Sequence, residues 1–325
     1  MNRFAYARPT TLDGVLQAVD DGWRPLAGGT DLLALMKRGL NAPKRLVSLQ
    51  GVPGLRGIER RGEGWFIGAT TPLATLANRC PEAAGRDLAA LAEAARVSAS
   101  PQLRNAATLG GNLLQRPRCW YFRNPQVHCW LKGGERCFAV VGRNAYHAIL
   151  GGGPCHAVHG SDPAVALMAL EGEVEISGRG GANRVALEAF FSGPRRAAGS
   201  ETSLREDELI TGIYVPAPAK TPEAAYVKVA ERAAWDFALV SAAVSVIFDG
   251  EEIARARIAL GGVAAVPLRV RRAEARLHGS RLTDDAVEAA AEAAVTEAEP
   301  LSENGYKVRL AKAVVRDALR TVRPE

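Results

Sequence analysis

The chain has 325 residues, of which 47% are hydrophobic and 23% are charged, which excludes a disordered or fibrous protein. This length predicts two or three packed units rather than one small core. The net charge of +6 includes no long run of one sign, no apolar window approaches the roughly 18 residues of a membrane span, and the N-terminus lacks a signal-peptide core. We therefore expect no nucleic-acid partner and no direct membrane insertion.

Residues 1–54 predict a short amphipathic helix followed by a strand, a glycine turn, a second helix and a second strand. The first helix begins after the capping candidates Thr10 and Thr11. The predicted elements are a helix at 12–19, a strand at 23–27, a turn at 28–31, a helix at 32–38 ended by Gly39, and a strand at 45–49.

Residues 55–216 predict a second unit that contains all five cysteines. Its predicted elements are a strand at 64–69, a helix at 86–97, a glycine turn at 107–113, and strands at 173–176 and 208–215. A proline-rich linker is expected at 216–222.

Residues 223–325 predict a smaller, separate α+β unit, because strands come first and helices follow. The strands are expected at 225–230, 239–248 and 253–260, and the helices at 284–298 and 306–322.

Two glycine pairs, Gly28-Gly29 and Gly110-Gly111, each read as a turn between a strand and a helix. Such a turn lets backbone N–H groups approach an anion beside the positive end of a helix dipole. An ordinary tight turn is the alternative, since glycine is a common turn residue. Neither pair has the spacing of the Rossmann or P-loop nucleotide motifs.

Four of the five cysteines, Cys119, Cys129, Cys137 and Cys155, lie within 37 residues. Disulfides are rare in cytosolic proteins, and the closely spaced cysteine pairs of structural zinc sites are missing. An iron-sulfur cluster takes four thiolates with more permissive spacing, so the spacing alone leaves a cluster and no metal as alternatives. The fifth, Cys80, is expected to be an inert buried thiol.

The surroundings of the four cysteines favour the cluster. Between residues 115 and 160 there are six basic residues and one acidic residue, which would offset the negative charge of a four-thiolate cluster. Trp120, Tyr121, Phe122 and Trp130 could shield it from water, although ordinary core packing explains aromatics equally well. We expect His128, His156 and His159 to be polar neighbours, with ligation as the alternative.

With these motifs the chain resembles the FAD-binding subunits of the molybdenum hydroxylases, the family of xanthine dehydrogenase and carbon monoxide dehydrogenase. The resemblance covers nearly the whole chain and implies an α+β fold. A two-part FAD-binding domain of the vanillyl-alcohol-oxidase type (residues 1–54 and 55–216) would precede a smaller C-terminal α+β domain (residues 223–325). Residues 263–279 look like the C-terminal domain of carbon monoxide dehydrogenase flavoproteins.

The resemblance also implies a set of flavin-binding residues. Residues 25–32 look like the family's first diphosphate loop, and residues 107–113 look like its second. Asp162 looks like the acidic contact that follows, and Ile210 and Lys228 are looser matches. The implied FAD residues are Pro25, Leu26, Ala27, Gly28, Gly29, Thr30, Asp31 and Leu32, then Ala107, Thr108, Gly111 and Asn112, then Asp162, Ile210 and Lys228.

An insertion at about 114–158 separates the second loop from the acidic contact, whereas most family members connect the two almost directly. Similar insertions, which carry a 4Fe-4S cluster, occur in the flavin subunits of 4-hydroxybenzoyl-CoA reductase and of bacterial molybdenum aldehyde oxidoreductases. The sequence Leu114-Gln-Arg-Pro-Arg-Cys119 looks closest to the aldehyde enzymes. The resemblance therefore implies that Cys119, Cys129, Cys137 and Cys155 are cluster ligands.

By the same resemblance, the chain is an electron-transfer subunit without a catalytic acid or base of its own. A large partner would carry the molybdenum cofactor and oxidise aldehydes or N-heterocycles, and a small partner would carry 2Fe-2S clusters. Inward electron flow, as in 4-hydroxybenzoyl-CoA reductase, is the alternative, and a stand-alone flavoenzyme of the same fold is a rival of another class. We expect cytoplasmic assembly, with co-export on a signal-bearing partner as an alternative.

Overall fold

Three separate β-sheets organise residues 1–194 and 201–324, the part of the chain that this computed structural model describes. The first is a three-stranded parallel sheet in the order β1-β3-β2, and one helix connects each strand to the next along the chain. Its elements are β1 (Ala5–Ala7), α1 (Leu12–Asp20), β2 (Arg24–Leu26), α2 (Leu32–Lys37) and β3 (Arg45–Ser48). Buried Val15 and Val19 of α1 pack with Val47 of β3, as the helical spacing of the apolar residues requires.

The second sheet has five antiparallel strands in the order β4-β5-β8-β6-β7. Its strands are β4 (Ile58–Arg61), β5 (Gly64–Gly68), β6 (Glu173–Gly178), β7 (Gly181–Ala186) and β8 (Leu209–Pro216). The helices of this unit are α3 (Leu73–Ala84), α4 (Ala89–Arg96), α5 (Pro101–Ala106), α6 (Leu109–Leu113), α7 (Trp120–Arg123), α8 (Asp162–Ala169) and α9 (Leu187–Phe190). Helix α8 is buried on all sides and joins this core to the third sheet.

The third sheet is an antiparallel meander in the order β12-β11-β10-β9, and it packs against C-terminal helices on one face and against α8 on the other. Its elements are β9 (Glu223–Val229), β10 (Val240–Asp249), β11 (Glu252–Gly261), β12 (Leu268–Arg269), α10 (Arg271–Leu277), α11 (Asp284–Ala293) and α12 (Tyr306–Thr321). None of the helices in the described part of the chain combines the length and apolarity that a membrane crossing requires.

Three predicted elements differ from the structure. The helix expected at 86–97 begins as a 3₁₀ turn at Gly85–Leu88 and becomes α-helical only at Ala89. The helix expected at 284–298 ends at Ala293. The second glycine pair does not follow a strand: it lies inside α6, which is capped by the Thr108 hydroxyl and preceded by α5.

The cysteine insertion has little regular structure and is fastened to the C-terminal domain by side chains. The amide of Asn144 donates to Ala139 O (3.0 Å), Gly142 O (3.0 Å) and Ser302 Oγ (2.9 Å), and its oxygen accepts from Glu303 N (2.8 Å). Because Asn144 is fully buried, these bonds replace the hydrogen bonds that a helix or strand would supply.

We expect Asn144→Ala to lower the stability of the protein by about 1–3 kcal/mol, because it leaves buried carbonyl groups and one N–H without partners. Thermal or urea unfolding measures the loss. Asn124→Ala is the matched control, since Asn124 is exposed at the other end of the insertion. Equal stability of the two variants would contradict this role for Asn144.

Candidate functional site

The first glycine loop connects β2 to α2 and brings free backbone donors together. Gly29 has a φ of +72°, a conformation that favours glycine. Among the described residues, the backbone N–H groups of Gly28, Gly29 and Thr30 donate no hydrogen bond. Successive unpaired N–H groups before a helix form a cradle for an anion, so this loop fits one phosphate-bearing part of FAD.

The second glycine motif lies directly against the first loop. A Cβ added to Gly28 would come within 1.8 Å of Ala106 O, so only glycine permits this contact. Here, however, the N–H groups are occupied: Leu109 donates to Thr71 O (2.9 Å), Gly110 to Ala69 O (2.8 Å) and Gly111 to Thr108 Oγ1 (3.3 Å). The two glycine pairs therefore differ, and only the first presents free N–H groups.

Asp162 and Lys228 form a buried ion pair between the second and third sheets. The Asp162 carboxylate accepts from Lys228 Nζ (2.8 Å), Tyr226 Oη (2.7 Å) and Ser98 Oγ (3.1 Å). Lys228 also donates to Val97 O (3.1 Å) and to the backbone oxygen of Asp236 (2.8 Å). All three ammonium hydrogens thus have partners, while the carboxylate retains about one free acceptor position.

The remaining predicted flavin residues lie around these groups. The Asn112 side-chain oxygen accepts from Ser161, the residue that caps α8 beside Asp162. Ala107 is buried in the same core cluster as Ile210, which lies in β8. The structure thus brings the two loops together, and places Asp162 with Lys228.

Asp31 joins the first glycine loop to the cysteine insertion. Its carboxylate accepts from Arg118 Nη2 (2.9 Å), Arg123 Nη2 (2.8 Å) and the backbone N–H of Arg116 (2.9 Å). The Asp31 and Arg123 side chains are only 12% and 8% exposed, so solvent screens this pair weakly. The predicted flavin loop is therefore joined by a network of ionic contacts to the residues on either side of Cys119.

A small cavity lies beside this network and was not foreseen from the sequence. Arg118, His159, Gly160, Asp162 and Phe237 contribute to its wall, and its volume is about 30 Å³, the space of about two water molecules. Phe237 stacks on the Arg118 guanidinium at 5.0 Å, and Arg118 Nε is buried without a partner among the described residues. At this volume the cavity does not hold a flavin ring in the conformation described.

The four predicted cluster ligands line one cavity, although up to 35 residues separate them in the chain. Cys119, Cys129, Cys137 and Cys155 share its wall with aromatic and aliphatic side chains: Tyr121, Phe122, Trp130, Leu131 and Phe138. All five cysteines are within the described residues and are free of disulfides. No described group of three or more potential ligands is spaced to hold a single metal ion.

The donor set of this cavity fits an iron-sulfur cluster, because four thiolates are its usual ligands. The cavity measures about 10 Å³, so its wall would have to rearrange to admit a cluster. Burial raises the pKa of Cys119 to about 11, and the Cys155 hydrogen bond lowers the pKa of Cys137. Metal binding would therefore release protons from the buried thiols.

The histidines near the cavity differ in position. His128 is exposed, and burial lowers the pKa of His159 to about 4. His147, which the sequence analysis did not single out, is buried with Nε2 3.2 Å from Cys119 Sγ. Its only sequence signal was its place in a cysteine-rich segment.

Comparison with known proteins places the chain in a family. Residues 2–218 match the FAD binding domain in molybdopterin dehydrogenase, and residues 225–322 match the CO dehydrogenase flavoprotein C-terminal domain. The chain belongs to the FAD-binding subunits of the molybdopterin dehydrogenases. The predicted family and the predicted α+β fold, with a two-part FAD-binding domain before a C-terminal domain, are thereby confirmed.

Individual relatives agree with this family. The chain is 37% identical over 332 residues to the aldehyde oxidoreductase FAD-binding subunit PaoB of Escherichia coli (strain K12), with 100% of both chains covered. It is 30% identical over 324 residues to the carbon monoxide dehydrogenase medium chain of Hydrogenophaga pseudoflava, with 98% of this chain and 96% of the relative covered. A solved structure of carbon monoxide dehydrogenase from that organism matches with a TM-score of 0.77 and 29% identity, covering 99% of this chain and 97% of the other.

We expect Gly29→Val to lower the FAD content of the purified protein strongly. A Cβ at Gly29 would lie 2.9 Å from Leu33 Cδ1 and would force the loop out of its left-handed conformation. Gly54→Val is the control, because Gly54 has a similar φ of +79° with open space around it. Normal flavin content in the Gly29 variant would count against the first loop as the diphosphate site.

We expect Asp31→Ala to reduce the iron content more than the FAD content, because it leaves Arg118 and Arg123 without their shared carboxylate. Iron and flavin analysis of the purified variant checks this. Asp13→Ala provides an exposed carboxylate as the control. Unchanged iron would show that the cysteine segment does not depend on the ionic network.

Proposed function

We propose that this chain is the electron-transfer flavoprotein subunit of a molybdenum-dependent aldehyde oxidoreductase and that it holds a 4Fe-4S cluster as well as FAD. The observation that carries the proposal is the convergence of Cys119, Cys129, Cys137 and Cys155 on one cavity. The similarity to an aldehyde oxidoreductase FAD-binding subunit over the whole chain supports the choice of aldehydes.

Within such a complex the chain works with two partners. A large subunit holds the molybdenum cofactor and oxidises the substrate, and a small subunit holds 2Fe-2S clusters, consistent with the name medium chain given to the carbon monoxide dehydrogenase relative. Electrons are exchanged between the small subunit, this chain and an external acceptor. The complex assembles in the cytoplasm, and a partner with a signal would export it when export occurs.

The residues of this chain bind, orient and shield FAD and the cluster. When bound, FAD and the cluster supply the electron-carrying chemistry. The free N–H groups of Gly28, Gly29 and Thr30 hold the flavin diphosphate, and the four thiolates hold the cluster. The aromatic walls restrict water at the cluster, and a low dielectric there strengthens its interaction with nearby arginines.

The arginines around Asp31 offset the negative charge of the flavin diphosphate on one side of the network and of the thiolate cluster on the other. Two guanidiniums and one carboxylate leave a net positive charge between the first loop and Cys119. This charge favours a diphosphate on one side and a thiolate cluster on the other. The same three side chains therefore serve both cofactors.

The test is an anaerobic purification of the chain with its co-purifying partners, followed by iron, molybdenum and flavin analysis and by EPR after dithionite reduction. FAD with a 4Fe-4S signal here, and molybdenum on the large partner, is the expected result. Flavin without iron would remove the cluster from the proposal. Zinc without flavin would overturn it altogether.

We expect Cys137→Ser to abolish the 4Fe-4S EPR signal while most of the FAD remains, because the diphosphate loop lies in a different part of the chain. Cys80→Ala is the control, since Cys80 is buried in the core around α3, apart from the cysteine cavity. A normal cluster signal in the Cys137 variant would refute the ligand assignment.

A further inference from the structure

His147 faces one of the four cysteines from within the protein. Its Nε2 lies 3.2 Å from Cys119 Sγ, which is within hydrogen-bond distance for sulfur. The imidazole is 3% exposed and meets the ring of Trp120 edge-on, with centroids 5.2 Å apart. Among the described residues, no second polar side chain hydrogen-bonds to this imidazole.

The C-terminal domain holds the backbone of His147 in place. Its carbonyl oxygen accepts from Asn304 Nδ2 (3.1 Å) and Lys307 Nζ (3.1 Å), and its N–H donates to Asn144 O (2.9 Å). Lys307 is completely buried at the start of α12 and also donates to Tyr146 O (3.1 Å). The backbone of His147 is thus held in part by a domain that contributes no cysteine.

The position of the imidazole proton follows from the chemistry of a thiolate. A thiolate sulfur only accepts hydrogen bonds, so a neutral imidazole that faces it must carry its proton on Nε2. His147 Nδ1 is then a bare acceptor, and it is buried without a partner among the described residues. The sulfur contact is therefore the one polar contact that the ring makes in the described chain.

We propose that His147 is a positioning residue for the cluster, whose Nε2–H donates to Cys119 Sγ and raises the cluster's reduction potential. This inference rests on the proposed 4Fe-4S cluster. A hydrogen bond to a ligand sulfur stabilises the more negative, reduced state, and such bonds are among the factors that set cluster potentials. The bond also orients the ligand, as outer-shell partners do at other metal sites.

The first experiment is a potentiometric titration of the intact complex, followed by EPR of the 4Fe-4S signal. His147→Leu should shift the midpoint potential downwards, because the donor is lost and the bulk is partly kept. His147→Gln should restore part of the shift, because its amide N–H can reach the same sulfur. His128→Leu is the matched control, since His128 is an exposed histidine of the same insertion.

A second measurement distinguishes a hydrogen-bonding role of His147 from a role in packing alone. Cluster loss to a chelator should become about 10-fold faster or more in His147→Leu, and slower again in His147→Gln. Lys307→Met should shift the potential in the same direction, because it removes one of the bonds that hold the His147 backbone. If His147→Leu does not fold with a cluster, His147→Met serves as the second variant without a donor: a lowered potential supports the donor role, and a wild-type potential refutes it.

The outcomes distinguish this inference from the proposed function. A wild-type complex without a 4Fe-4S signal would remove the cluster itself. A wild-type complex with the cluster, and a His147→Leu variant with unchanged potential and unchanged chelator resistance, would overturn only the role of His147.

Discussion

The ion pairs of the Asp31 carboxylate are the interaction on which the geometry of the site depends. Asp31 ends the first glycine loop, and it binds Arg118 and Arg123 on either side of Cys119. Removing one member of a buried ion pair leaves the others uncompensated in a medium of low dielectric, which is more costly than losing an exposed pair. The predicted flavin loop and the segment around Cys119 are therefore held together, although 87 positions of sequence lie between Asp31 and Cys119.

The other end of the insertion is held by the C-terminal domain instead. A long segment with little secondary structure must satisfy its buried backbone groups by other means. Here the side chains of Asn304 and Lys307 supply donors to carbonyl groups near residue 147, and Ile149 donates to Val263 O (2.8 Å). Both neighbouring units thus hold the segment that forms the cysteine cavity, so mutations in the C-terminal domain can change the geometry of the cavity.

Sequence patterns predicted elements whose determinants are local and missed contacts whose determinants are distant. Apolar spacing and the Thr11 cap were sufficient for α1, and the strand-turn-helix around Gly29 formed as expected. The second glycine pair looks the same in sequence, but Ala69 O and the Thr108 hydroxyl occupy its N–H groups. Spacing left the cysteines ambiguous because only tertiary folding brings Cys155 to Cys119. The role of His147 has no sequence pattern, since it depends on α12.

Asp162 and Lys228 show how a resemblance in sequence and a contact in structure carry different information. Resemblance marked both as flavin contacts, yet each is the other's main partner, and Lys228 has used all three of its donors. A flavin contact through that ammonium would require one of those bonds to be exchanged. Burial also raises the pKa of Tyr226, which keeps its hydroxyl as a donor to Asp162. The ion pair thus joins the second and third sheets, and through Asp162 it fixes the wall of the cavity that Arg118 and Phe237 close.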